Sequence, residues 1–236
     1  MFFSNNIAWY YQIWPWIGFI GAIIILSLLF TTNLLRDNLL KERWYDPYWL
    51  AWLCTATYLI HNVEEYGIDL KGTSYSFPKS ISSGLGQSVP ENILYVAVNI
   101  PLLWMLSPLA AYFSQKKHSK MLASFTVAIM LINFIPHTYS ALFYGRYNPG
   151  LLTALLLLVP ISIWTYYINF IRDNPNYRAL AISLTLGIIY HLFIFISIAG
   201  LFKTGLVKSC GCAFFIFVAT LLYYCLVTQS GKLLKC

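Results

Sequence analysis

Two adjacent glutamates interrupt an apolar stretch that reads Tyr58-Leu59-Ile60-His61-Asn62-Val63-Glu64-Glu65-Tyr66. Spacings of three and four residues put His61, Glu64 and Glu65 on one helical face, and the same face extends back through Tyr58, Thr57 and Cys54. An acidic residue at the centre of a membrane helix costs roughly 2.5–3.5 kcal/mol on insertion scales, so something must offset it. Imidazole nitrogens with carboxylate oxygens form the ligand set of a divalent metal such as zinc or iron. A carboxyl group beside such an ion, or alone in a low dielectric, is also suited to general acid or base work.

Other polar residues can join them. Asn133 and His137 lie four residues apart with Pro136 beside the histidine, and Glu91, Tyr95 and Asn99 form a stripe at successive four-residue steps. His191 stands among Gly187, Ile188, Ile194 and Phe195. The expected metal set is His61, Glu65, His137 and His191, with Glu64 and Glu65 as catalytic acids or bases. Asn133, Asn99, Tyr95, Glu91 and Tyr58 are the expected supporting or substrate-binding residues. Structural roles compete at each position. Glu64 and Glu65 would sit in the headgroup region if their helix ended early; Asn133 and His137 could be an interhelical hydrogen-bonding pair; His191 could be a satisfied buried histidine; Glu91 could neutralise a helix N-terminus.

The elements that must position these residues follow from composition. Of 236 residues, 59% are hydrophobic and 10% charged, against about 25% charged in soluble domains. Long uncharged runs, each able to cross a hydrocarbon core as roughly 20 helical residues, predict one all-α membrane domain over residues 1–236. The expected spans are 14–35, 48–68, 91–113, 120–144, 150–171, 178–200 and 209–228. Pro101, Pro108, Pro136 and Pro160 fall inside them and should distort the helices. Ten of the 15 basic residues fall in the loops after spans one, three and five and in the C-terminal tail, which orients the N-terminus outward and the C-terminus to the cytoplasm. A tag-accessibility assay should find the two termini on opposite sides; termini on one side would contradict seven crossings. At 1.5 Å per residue, His61, Asn99, His137 and His191 then share a layer about 10–14 Å below the outer helix ends. The segment 69–90, rich in glycine and serine, is an outer loop long enough to serve as a lid.

Several classes are excluded. The net charge of +7 comes from scattered lysines and arginines that form no stripe with exposed aromatics, so nucleic acid is not an expected partner. Cys54 and Cys225 fall within apolar runs, and Cys210-Gly211-Cys212 is weak evidence for metal. The 209–228 run has no lysine for a retinal linkage, and four histidines are too few for a histidine-box hydroxylase.

The five residues His61-Asn62-Val63-Glu64-Glu65 resemble the motif that names the HXXEE family of small polytopic membrane proteins. Asn133-Phe134-Ile135-Pro136-His137 and Tyr147-Asn148-Pro149-Gly150 look like that family's second and third landmarks, so the resemblance covers helices two to five. It implies that His61, Glu64, Glu65 and His137 form a metal-binding or catalytic site. It supplies no reaction, and His191 lies outside it.

The expected function is an intramembrane enzyme in a bacterial inner membrane, metal-dependent and acting on a lipid-like or isoprenoid-like substrate. Two alternatives use the same residues: a proton or metal-ion transporter or channel, and a metal-free acid–base isomerase or cyclase.

Overall fold

A computed structural model describes residues 8–85 and 93–235. The chain forms α1 (Trp9–Thr31), α2 (Pro47–Asn62), α3 (Ser76–Leu85), α4 (Leu94–Lys117), α5 (Lys120–Phe143), α6 (Leu151–Phe170), α7 (Tyr177–Phe202) and α8 (Ser209–Leu234). Among the described residues the only β feature is an isolated antiparallel bridge between Ile68 and Ser74. Helix is what an apolar chain in hydrocarbon requires, because each segment must pair its own backbone groups. Six helices, α1 and α4 to α8, are long and apolar enough to cross a membrane. The molecule is therefore an all-α, multi-pass membrane bundle.

The seventh expected span is α2, and it is the one that differs. Its 16 residues are short for a bilayer, and a single wide π-type turn, Val63–Gly67, extends it. Asp46 starts it by accepting the backbone N–H groups of Tyr48 and Trp49 at 2.9 and 3.3 Å, with Pro47 in the first turn, which satisfies donors that the helix itself cannot. Nearly all of α2 is buried. A helix screened from lipid by its neighbours can carry polar side chains, provided those neighbours supply partners. They do: Thr55 shares a hydroxyl chain with Ser107 and Thr126, 2.6 Å at each link, joining α2 to α4 and α5. Cys54 meets Thr165 of α6 at 3.5 Å, and the Trp49 indole donates to the Leu29 carbonyl of α1 at 3.1 Å.

Wide turns accompany two of the prolines, as expected where a missing N–H breaks the regular ladder. Pro101 lies inside the segment Ile100–Leu106, and Pro160 follows Ala154–Leu158. Span ends depart from the hydropathy reading. The first helix begins at Trp9 rather than Trp14 and ends at Thr31 rather than Leu35, because Thr31 and Thr32 bond back to the Ser27 and Leu28 carbonyls at 2.6 Å and Thr32 turns extended. The last runs on to Leu234, placing Lys232 in its final turn, where a cation complements the helix dipole.

The segment 69–90 is not a plain loop. Asp69 accepts the backbone N–H groups of Lys71 and Thr73 at 2.9 and 2.8 Å, and the turn leads into α3. Glu91 and Cys236 lie outside the described residues.

Candidate metal and catalytic site

The site forms at one end of the bundle, where α2 finishes, α6 begins and the second half of α5 passes between them. Its centre is Glu65, 3% exposed. The Glu65 Oε1 atom lies 3.5 Å from His61 Nε2 and 3.2 Å from His137 Nε2. Both imidazoles are fully buried and meet edge to face with ring centroids 5.0 Å apart. Among the described residues, His61, Glu65 and His137 are the group whose ligand atoms all fall within 4.8 Å of one another.

The outer nitrogens fix the state of the inner ones. His137 Nδ1 lies 3.2 Å from Asn148 Oδ1, an acceptor, so Nδ1 carries the proton. Thr153 Oγ1 gives its proton to Glu64 Oε2 at 2.6 Å and therefore accepts from His61 Nδ1 at 2.7 Å. With Nδ1 as donor, the tautomer of each ring that is left when it is neutral has its lone pair on Nε2, the nitrogen beside Glu65. Two imidazole nitrogens and a buried carboxylate around one point form a donor set that could hold a cation. Asn133 completes the ring of groups, its Nδ2 lying 3.0 Å from His61 Nε2 and 3.3 Å from His137 Nε2. A half-turn of that amide would put Oδ1 at the same place, an oxygen for a cation.

Glu64 goes elsewhere. The wide turn at Val63–Gly67 sends the two neighbouring carboxylates apart, Glu65 to the histidines and Glu64 to the start of α6. There Glu64 accepts four bonds: Tyr147 hydroxyl at 2.7 Å, Leu152 N–H at 3.1 Å, Thr153 N–H at 2.7 Å and the Thr153 hydroxyl. A carboxylate on unpaired N–H groups at a helix N-terminus is favoured by both hydrogen bonding and the dipole. Burial, and then the bond to Glu64, push the Tyr147 phenol well above its ordinary range, so it stays a donor at physiological pH. With its oxygens occupied, Glu64 is placed to position His61 through Thr153, while Glu65 lies between the two histidines and borders the neighbouring cavity. Glu64→Ala should lower stability by about 2–4 kcal/mol by stranding buried donors. Glu64→Gln, which keeps an acceptor, should cost about half as much; thermal unfolding in detergent measures both.

The remaining expected residues divide. Asn99 donates to the Tyr95 carbonyl at 2.9 Å and to the Tyr66 hydroxyl at 3.4 Å. Tyr58 packs near the His61 ring with centroids 5.5 Å apart. His191 does not join the ligand group: its Nδ1 is bonded to the Gly187 carbonyl at 2.9 Å within α7. His191, Asn99, Tyr95, Asn133 and Glu65 all line one cavity of about 700 Å³. Phe77, Ser80 and Ile81 of α3 form part of its wall, with Phe77 against the His137 ring at 5.3 Å. Ile135 and Tyr139 of α5 and Leu192 and Phe195 of α7 line it and are also exposed on the outer surface. The cavity thus has accessible walls on both α5 and α7.

Tyr147, Asn148, Gly150 and Thr153 have site positions that residue type alone does not announce. The one local signal is the Asn-Pro-Gly turn, and Gly150 shows why it is there. At φ +95° it lies against both rings, and a Cβ would fall 2.5 Å from His137 Cε1 and 2.8 Å from His61 Cε1.

Fold and site together define a polytopic membrane protein with a buried histidine–glutamate cluster beside a large cavity lined mostly by apolar side chains. Within that class the chain belongs to the HXXEE family, described as proteins of unknown function with the HXXEE motif, whose profile matches residues 52–165. It is also similar to the Uncharacterized protein YrkK of Bacillus subtilis (strain 168), with 33% identity over 148 residues, covering 60% of this chain and 88% of that relative. No solved structure shows a significant match. The matched region contains α2 from residue 52 onward, α5 and α6 as far as residue 165, hence the whole cluster, and excludes His191.

Proposed function

We propose that the protein is an intramembrane enzyme of the bacterial inner membrane in which His61, Glu65 and His137 hold a divalent metal ion and act on a lipid-like substrate. The observation that carries this reading is the spacing of the three ligand atoms. The three ligand atoms all lie within 4.8 Å of one another, and the two N···O separations, 3.2 and 3.5 Å, are close to the roughly 3.3 Å between neighbouring ligands at 2.0–2.1 Å from zinc. Three protein ligands leave a position for water, whose pKa a bound metal lowers toward 7. Glu65 and Asn133 border the cavity: the Asn133 amide would orient that water, and the Glu65 carboxylate is the group that could hold its proton. Glu64 and Asn148 fix the two rings from behind, the role that outer partners play in metal sites.

The experiment is turnover in nanodiscs carrying a bacterial lipid extract, followed by untargeted mass spectrometry. The expected result is a lipid change abolished both by a chelator and by Glu65→Gln. A change that survives chelation but not Glu65→Gln would replace the metal enzyme with the acid–base isomerase or cyclase. No lipid change, together with Glu65-dependent ion flux in proteoliposomes, would replace it with a transporter.

A further inference from the structure

The end of the bundle away from the histidine–glutamate cluster carries a second cavity. Where α4 and α8 finish and α5 begins, Lys117, His118, Ser119, Thr228, Lys232 and Lys235 line a space of about 260 Å³. Its wall residue Leu122 lies roughly 22 Å along α5 from His137, at 1.5 Å per residue, and it shares no wall residue with the larger cavity. This is the end that the loop charges assign to the cytoplasm.

Charge around this cavity is unbalanced. No aspartate or glutamate lines it. His118 faces Asp37 at 3.6 Å and so has an acidic partner of its own. The Lys117 ammonium lies 5.1 Å from the centroid of the Phe113 ring, a contact that leaves its charge intact. Among the described residues none of the three lysines pairs with a carboxylate. All three are exposed, and their flexible stems let the ammonium groups swing into the cavity. Helix dipoles favour Lys117 and Lys232 in the last turns of α4 and α8, but they do not cancel the repulsion among three like charges around one space. An anion between them does.

The surroundings narrow that anion. On α8, Leu221, Cys225, Thr228 and Lys232 recur at three- and four-residue steps, one stripe that leads from exposed apolar surface to the cavity. On α4, Leu109, Phe113 and Lys117 do the same, with Leu109 exposed. Exposed apolar stripes on membrane-spanning helices suit acyl chains, and a lipid lying along them would bring its phosphate to the lysines.

We propose that this cavity binds the phosphodiester headgroup of an anionic phospholipid, with Lys117, Lys232 and Lys235 as its cationic contacts. Basic pockets between membrane helices on the cytoplasmic side hold such headgroups. A zwitterionic lipid offers the same phosphate but adds a cation that the lysines oppose, and free phosphate has no chains for the stripes.

The test measures lipid binding to the purified full chain by native mass spectrometry, using dioleoyl phosphatidylglycerol and dioleoyl phosphatidylcholine, with inorganic phosphate as competitor. Phosphatidylglycerol should bind about tenfold more tightly than phosphatidylcholine and resist a tenfold excess of phosphate. The triple variant Lys117→Gln, Lys232→Gln, Lys235→Gln should lose that preference. The triple variant Lys41→Gln, Lys116→Gln, Lys120→Gln, which removes the same charge outside the cavity, should lower it less than twofold. Lys235→Gln alone should cost about threefold, and it carries the test if the first triple variant does not fold. Equal binding of the two lipids, equal losses in the two triple variants, or phosphatidylglycerol binding that none of the three cavity lysines affects would each overturn the proposal. Displacement by the phosphate excess would overturn it in favour of a free-anion site.

Discussion

His137→Ala is expected to abolish tight metal binding, lowering affinity by more than 100-fold, and His61→Ala should do the same. Loss of a partner behind a ligand typically costs 10–100-fold, and removing one of three ligands should cost more. The effect is specific to these rings: both are fully buried, and each has its Nδ1 tied to a fixed oxygen, Asn148 Oδ1 or Thr153 Oγ1. His191→Ala serves as the internal control and should leave affinity unchanged, because its Nδ1 is held within its own helix at Gly187. Zinc titration of metal-free protein separates the three. Equal losses in all three variants would mean that the cluster is not the binding site.

Gly150→Ala is expected to be nearly as damaging although it removes no polar atom. The residue stands at φ +95°, with both histidine Cε1 atoms closer to its would-be Cβ than carbon atoms tolerate. Left-handed backbone costs a non-glycine residue about 1–2 kcal/mol, and forcing volume into a packed core about 1–3 more. Neither ring can retreat freely, since Nδ1 is held on one side and Nε2 faces Glu65 on the other. The variant should unfold at a clearly lower temperature and bind metal about 10–100-fold more weakly. An alanine variant with wild-type melting and metal affinity would show that Gly150 does not set the ring positions.

Much of this site can be read from spacing. His61 and Glu65 are one helical turn apart, as are Asn133 and His137, and the loop-charge topology brings α2 and α5 to the same depth. Depth is a one-dimensional quantity, however. It puts His191 in the same expected layer without saying which way α7 turns it, and the helix presents it to the cavity wall instead of to the cluster of His61, Glu65 and His137. Glu64 and Glu65 are chemically equivalent in the sequence, and only the wide turn at Val63–Gly67 sends them to different partners. Such a turn has no composition signature. Hydropathy likewise locates the helices but not their ends, which depend on local bonds such as those from Thr31 and Thr32 to the preceding turn. Thr153 is invisible in advance because its role comes from being the hydroxyl that touches both His61 and Glu64.

The central claim is that a divalent ion sits among His61, Glu65 and His137. Elemental analysis of wild-type protein purified without chelators tests it most directly. About one divalent ion per chain is predicted, reduced to background in the His61→Ala, His137→Ala double variant, because ligand geometry built into the fold should retain its metal. Wild-type protein that carries no stoichiometric metal, and takes up none when zinc or ferrous iron is supplied, would contradict it.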